Sequence, residues 1–173
     1  MYSVLYPDFL AKDDFKYEKP IAKGICELIK YDAKKSSEIP DEVWSKADAL
    51  VTGLYMKVDN NLISKLSSCK IITRMGVGYD LINEVKCGES GIVVSNVPDY
   101  GTYEVADHAI TLIMNFARGI SEYDKLLKES INNNWHHSSV STIDRVVQKK
   151  IGIIGLGRIG TAFALRAKAF GFD

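Results

Sequence analysis

The feature that most limits how this chain can fold is its last stretch, "KKIGIIGLGRIGTAFALRAKAFGFD", Lys149 to Asp173. Ile151, Ile153 and Ile154 predict a buried strand. Thr161 to Phe170 predict a helix, with Ile159, Phe163, Ala167 and Phe170 on one apolar face. Between strand and helix, Gly155, Gly157 and Gly160 make G-x-G-x-x-G. Gly155 permits a tight turn, Gly157 lets the backbone approach a pyrophosphate, and Gly160 lets helix and strand pack closely. N–H groups at the helix start, with the helix dipole, attract phosphate. The plain alternative is an ordinary strand–turn–helix, and the flanking strand and helix favour dinucleotide binding over it. An acidic residue that binds the ribose is expected roughly 20 positions on, at the end of the next strand. Gly171 reads as the helix C-cap. Asp173 therefore stands at the start of that strand and is not that residue.

Upstream, apolar runs alternate with helical segments. "YSVLYPDF", Ile25–Ala33, Asp48–Leu54, Cys69–Asp80 and Ile92–Pro98 read as strands. "DEVWSKA", "DNNLISKLSS" and "LINEVKCGESG" read as short helices, with acidic first turns, Asn or Asp caps, or a closing glycine. Alternation of this kind predicts a parallel sheet with helices on both faces. Residues 1–98 are expected to form one α/β domain. Residues 99–173 are expected to open a second. Thr102–Ser130 predicts a long helix or two helices broken at Gly119, with Thr102 as N-cap. Its first part is apolar nearly all round, which predicts burial between domains or subunits. "NNNWHHSSVSTID" reads as a polar loop.

"RMGVGYD", Arg74 to Asp80, follows the C-terminal end of a predicted parallel strand, where α/β proteins place ligands. Gly76 and Gly78 leave the N–H groups of the turn accessible, and Arg74 adds a planar cationic fork suited to a carboxylate. A solvated arginine on a surface turn is the equally weighted alternative. His108 reads as a hydrogen-bonded structural residue rather than a general base. His136 and His137 lack a third ligand and make a poor metal site. Cys26, Cys69 and Cys87 fit no metal pattern and read as reduced structural thiols of a cytoplasmic protein. The 22 basic and 22 acidic residues balance, which argues against nucleic-acid or membrane partners. No apolar run reaches membrane-spanning length, and the N-terminus lacks a signal-peptide pattern.

"RMGVGYDLINEVKCGESGIVVSNVPDYGTYEVADHAITLIM" followed by "IGIIGLGRIGTAFALRAKAFGF" resembles the D-isomer-specific 2-hydroxyacid dehydrogenases. Within them it is most similar to the branch of the phosphoglycerate dehydrogenases and the C-terminal-binding-protein corepressors. The match runs from about Lys70 onward, and the earlier residues fit by pattern. The resemblance implies a flavodoxin-like substrate domain followed by the start of a Rossmann domain, with NAD as cofactor. It implies that Arg74 and the backbone at Val77 and Gly78 contact a substrate carboxylate. It places Val105 near the nicotinamide, where relatives often carry a hydroxyl. It lays Gly155, Leu156, Gly157, Arg158, Ile159 and Gly160 over the pyrophosphate. It also implies that the long helix helps to form a homodimer.

The chemistry so implied is loss of a hydride from C2 of a small 2-hydroxy acid to the nicotinamide while a base takes the hydroxyl proton. In the family a histidine–glutamate pair supplies the base and a second arginine holds the carbonyl oxygen. None of the three has a matching position in this chain. The chain therefore reads as a fragment, expected to be inactive alone and poorly ordered in its last segment. A dinucleotide-sensing corepressor is the second reading, and a folded domain with no ligand the third.

Overall fold

A computed structural model describes residues 1–9, 14–136, 140, 143 and 145–173. The chain divides into two compact units, residues 1–100 and 101–173.

The first unit holds five parallel strands in the order β2-β1-β3-β4-β5. They are β1 (Tyr2–Tyr6), β2 (Cys26–Lys30), β3 (Ala49–Thr52), β4 (Ile71–Arg74) and β5 (Val93–Asn96). The helices are α1 (Glu18–Ala22), α2 (Asp41–Lys46), α3 (Asn60–Lys65) and α4 (Glu84–Glu89). Leu5, Leu50 and Ile72 are paired or adjacent in register and fully buried, so they share one sheet face. That face packs against Trp44 of α2, Leu62 of α3 and Cys87 of α4. The period of two along each strand puts Val4, Tyr6, Leu28 and Val51 on the other face. There Tyr6, Phe9 and Phe15 form a small aromatic cluster.

Local chemistry fixes the helix ends. Asp59 caps α3 by accepting from the Leu62 N–H at 3.1 Å, and Asn83 caps α4 by accepting from the Lys86 N–H at 3.0 Å. Helix α1 was not expected, because Pro20 lies within it. Proline is tolerated there because the first-turn N–H groups have no intrahelical partner. Burial pushes the Cys69 thiol up to about 11 and raises Cys87 as well. All three cysteines are free.

The second unit contains α5 (Thr102–Ala117), α6 (Ile120–Glu129), α7 (Ile131–Asn134) and α8 (Arg158–Ala169). The break between α5 and α6 falls at Gly119, which has a φ of +59°. Two expectations are corrected here. Gly101, not Thr102, occupies the N-cap of α5. Within the unit, Ala106 and Ile110 of α5 pack with Ala162, Phe163 and Ala167 of α8, while Leu112 and Phe116 are exposed. His108, expected as a hydrogen-bonded structural residue, is exposed on α5.

The run Lys149–Ile154 forms no extended ladder, and Ile154 is fully exposed. The buried strand predicted over Ile151, Ile153 and Ile154 is thus not formed, although one pair of bonds reaches this run. The Asp173 N–H donates to the Lys149 carbonyl at 2.9 Å, and the Ile151 N–H donates to the Asp173 carbonyl at 2.8 Å. These two bonds have the pattern of one rung of a parallel pair. The turn into that rung is a Schellman motif. Phe172 N–H reaches Ala167 O at 3.1 Å, Gly171 N–H reaches Lys168 O at 3.0 Å, and Gly171 has a φ of +88°. Among the described residues no helix is long and apolar enough to cross a membrane. No cluster of three His, Cys, Asp or Glu side chains is found among them either. His137 and part of the loop read from "NNNWHHSSVSTID" lie outside the described residues.

Candidate functional site

In a sheet of this order the crevice for ligands opens at the carboxyl ends of the strands, where β1 and β3 diverge to opposite sides. Asp8 follows β1 there and is 1% exposed. Its carboxylate accepts from the N–H groups of Gly53 at 2.7 Å, Tyr55 at 2.8 Å and Met56 at 2.9 Å. Gly53 is needed for this approach, since a Cβ there would lie 2.7 Å from the Asp8 carbonyl oxygen. The clamp fixes the segment leaving β3. Sequence reasoning missed it; the available signal was a carboxylate straight after an apolar strand.

The neighbouring strand ends place the residues of "RMGVGYD". Thr52, Arg74 and Asn96 lie in register across β3, β4 and β5. The Met75 N–H donates to Thr52 O at 2.9 Å, which continues the ladder into the turn. Arg74 Nη1 donates to the Met75 carbonyl at 3.0 Å, so the guanidinium curls over its own turn. A Cβ at Gly76 would sit 3.3 Å from that nitrogen, so glycine leaves room for the fork. The Val97 N–H donates to Gly76 O at 3.0 Å, and Asn96 Nδ2 donates to Val77 O at 2.8 Å. Among the described residues no peptide bond is cis, so each N–H points opposite the carbonyl before it. The N–H groups of Val77 and Gly78 therefore face away from β5. Among the described residues neither has a protein acceptor. Two successive N–H groups without a protein acceptor are able to receive an anion, and an Asp80 carboxylate oxygen lies 3.4 Å from the Cβ position of Gly78.

The second unit, taken alone, presents the glycine turn. Gly155 has a φ of +92°, which glycine adopts freely. A Cβ on Gly160 would overlap the Gly155 carbonyl oxygen, so α8 meets the turn at backbone contact. A Cβ on Gly157 would meet nothing within 4 Å, which leaves its backbone open to a ligand. Gly157 is also the N-cap of α8 and supplies no side-chain cap. Leu156 is exposed, and Arg158 and Ile159 begin the helix. An open backbone at an N-terminus of this length fits a dinucleotide pyrophosphate. Val105 lies half-exposed on α5, beside Ala106 in the α5–α8 core. The Asp107–Arg166 ion pair joins the two helices, and the Tyr103 ring lies 5.6 Å from the Arg166 guanidinium.

The sequence model described as "D-isomer specific 2-hydroxyacid dehydrogenase, catalytic domain" matches residues 10–167. A glyoxylate/hydroxypyruvate reductase of Arabidopsis thaliana is 41% identical over 122 residues, covering 70% of this chain and 38% of that protein. A hydroxyphenylpyruvate reductase of Plectranthus scutellarioides matches with the same identity and coverage, 41%, 70% and 38%. Neither is a phosphoglycerate dehydrogenase or a corepressor, the branch that the motifs suggested. Among solved structures, a D-lactate dehydrogenase of Aquifex aeolicus complexed with NAD and lactic acid superposes with a TM-score of 0.81. It is 25% identical, over 98% of this chain and 49% of that one. An NADPH-dependent glyoxylate/hydroxypyruvate reductase of Sinorhizobium meliloti, in complex with citrate, gives a TM-score of 0.81 and 26% identity over 100% of this chain and 53% of that one. The chain thus spans 38% of the length of the two plant relatives and about half of these solved chains. By its matching residues and its five-stranded parallel fold, the chain belongs to the D-isomer-specific 2-hydroxyacid dehydrogenase family.

Proposed function

We propose that this chain carries the substrate-anchoring and dinucleotide-anchoring parts of an NAD-dependent oxidoreductase. The reaction moves a hydride between C2 of a small 2-hydroxy or 2-oxo acid and the cofactor. Residues 1–98 serve as the substrate domain and residues 99–173 begin the cofactor domain. The observation that carries the reading is the turn at Val77 and Gly78, whose N–H groups have no protein acceptor among the described residues, in the loop over which the Arg74 guanidinium folds onto the Met75 carbonyl. The substrate carboxylate accepts from these N–H groups and from the Arg74 fork, which fixes C2 in place. Gly155, Leu156, Gly157, Arg158, Ile159 and Gly160 hold the cofactor's pyrophosphate, and Val105 supplies apolar contact near its ring. When bound, NAD supplies the hydride acceptor. The chain's own residues bind and orient. The base and the second arginine that the family uses have no counterpart among them.

The two plant relatives are reductases, which favours the enzyme over the corepressor reading. The exposed Leu112 and Phe116 of α5 support a homodimer. Three free thiols are in keeping with a reducing, cytoplasmic setting.

The substrate side is tested by titrating the isotope-labelled 173-residue chain with oxamate, a 2-oxo acid mimic. Amide shifts are expected to concentrate at Val77 and Gly78. Arg74→Ala is expected to weaken binding by roughly 10- to 100-fold, the loss of one charge-assisted pair. Undiminished affinity in that variant, or shifts elsewhere on the chain, would contradict the assignment.

A further inference from the structure

We infer that Asn96 is a positioning residue for the carboxylate site, acting through the Val77–Gly78 peptide; this rests on the substrate reading above. Asn96 ends β5 directly in register with Arg74. Its Nδ2 is 2.8 Å from the Val77 carbonyl oxygen. The next residue on the same strand, Val97, takes the Gly76 carbonyl with its N–H at 3.0 Å. Strand β5 thus holds two successive carbonyls, and the trans geometry turns the two following N–H groups the other way.

The two holds are not alike. The Val97 bond is main chain and survives any substitution. The Asn96 bond depends on its side chain, and it governs the peptide whose N–H belongs to Gly78. Glycine makes that peptide free to rotate. Without the amide donor, Val77 O loses the hydrogen bond that holds it toward β5, and the peptide is freer to turn its Gly78 N–H away from the site. A donor on the carbonyl also polarises the peptide, which makes Gly78 N–H a stronger donor to an anion. Asn96 therefore both aims and sharpens a group that the substrate touches, without reaching the substrate itself. The sequence reading placed Asn96 only in a β-branched strand, because a residue acting through another leaves no motif.

The test uses the full chain, oxamate as probe and two variants. Asn96→Asp is nearly isosteric but cannot donate when ionised. At pH 7 it is expected to bind oxamate about tenfold more weakly than wild type. As the pH falls through about 4 the carboxyl protonates, regains an O–H donor and recovers affinity relative to wild type at the same pH. Asn96→Ala is expected to show the same loss with no recovery at low pH. A purely structural role would give two variants with the same pH profile. Wild-type affinity in Asn96→Asp at pH 7 overturns the inference alone. A wild-type chain that does not bind oxamate overturns the site reading and this inference with it.

Discussion

Gly160→Ala is expected to unfold the second unit and abolish dinucleotide binding. The added Cβ would overlap the Gly155 carbonyl oxygen, lie 3.0 Å from its carbon and 3.7 Å from Ile153 Cγ2. Two of these three atoms are backbone and cannot move aside as a flexible side chain would. Relief must come from moving α8 off the turn, which pulls Ala162, Phe163 and Ala167 away from Ala106 and Ile110. These residues are the buried core of the unit. The cost is expected to be at least ~3 kcal/mol, read as loss of the unit's share of a chemical melt. Gly157→Ala is the control. Its Cβ meets nothing within 4 Å, so stability should stay within ~0.5 kcal/mol while NAD binding falls, because the methyl occupies the approach to the backbone. Equal stability losses in both variants would contradict this account of the turn.

Asp8→Ala is expected to destabilise the first unit by about 3–5 kcal/mol. It removes a buried acceptor from three N–H groups at once and leaves those of Gly53 and Met56 with no water to replace it. For a unit of this size that is a fall in Tm of roughly 15 °C or more. Asp8→Asn keeps one carbonyl oxygen but turns an NH2 toward N–H groups, so its effect is expected to be intermediate. Thermal unfolding followed by the fluorescence of Trp44, which is fully buried in this unit, measures both. A shift of only a few degrees for Asp8→Ala would mean that the loop after β3 is held by something other than this carboxylate.

Much of the first unit was legible because its signals are local. Continuous apolar runs such as Ile71–Thr73 read as buried parallel strands, and Asp59 and Asn83 cap their helices within three residues. The glycine turn was legible for the same reason: Gly155 takes a positive φ and Gly160 leaves room for the Gly155 carbonyl, both local demands. What escaped was non-local. Asp8 meets its partners 45 to 48 residues away, and Asn96 meets Val77 across 19. Neither pairing has a spacing rule. The all-round apolar composition of α5 did not single out the stripe that packs within the unit, where Ala106 and Ile110, with Ala109, Ile113 and Met114 beside them, join the core shared with α8. The rung at Asp173 escaped because the reading looked for a whole strand, and a single pair of bonds forms with one residue.

The most direct measurement is a two-ligand amide map of the labelled 173-residue chain, with NAD and oxamate added separately. The account predicts that NAD shifts the amides of Gly155 to Gly160, and that oxamate shifts those of Val77 and Gly78. NAD perturbing no residue of the glycine turn at saturating concentration would contradict the claim that this chain carries the anchoring half of a 2-hydroxyacid dehydrogenase.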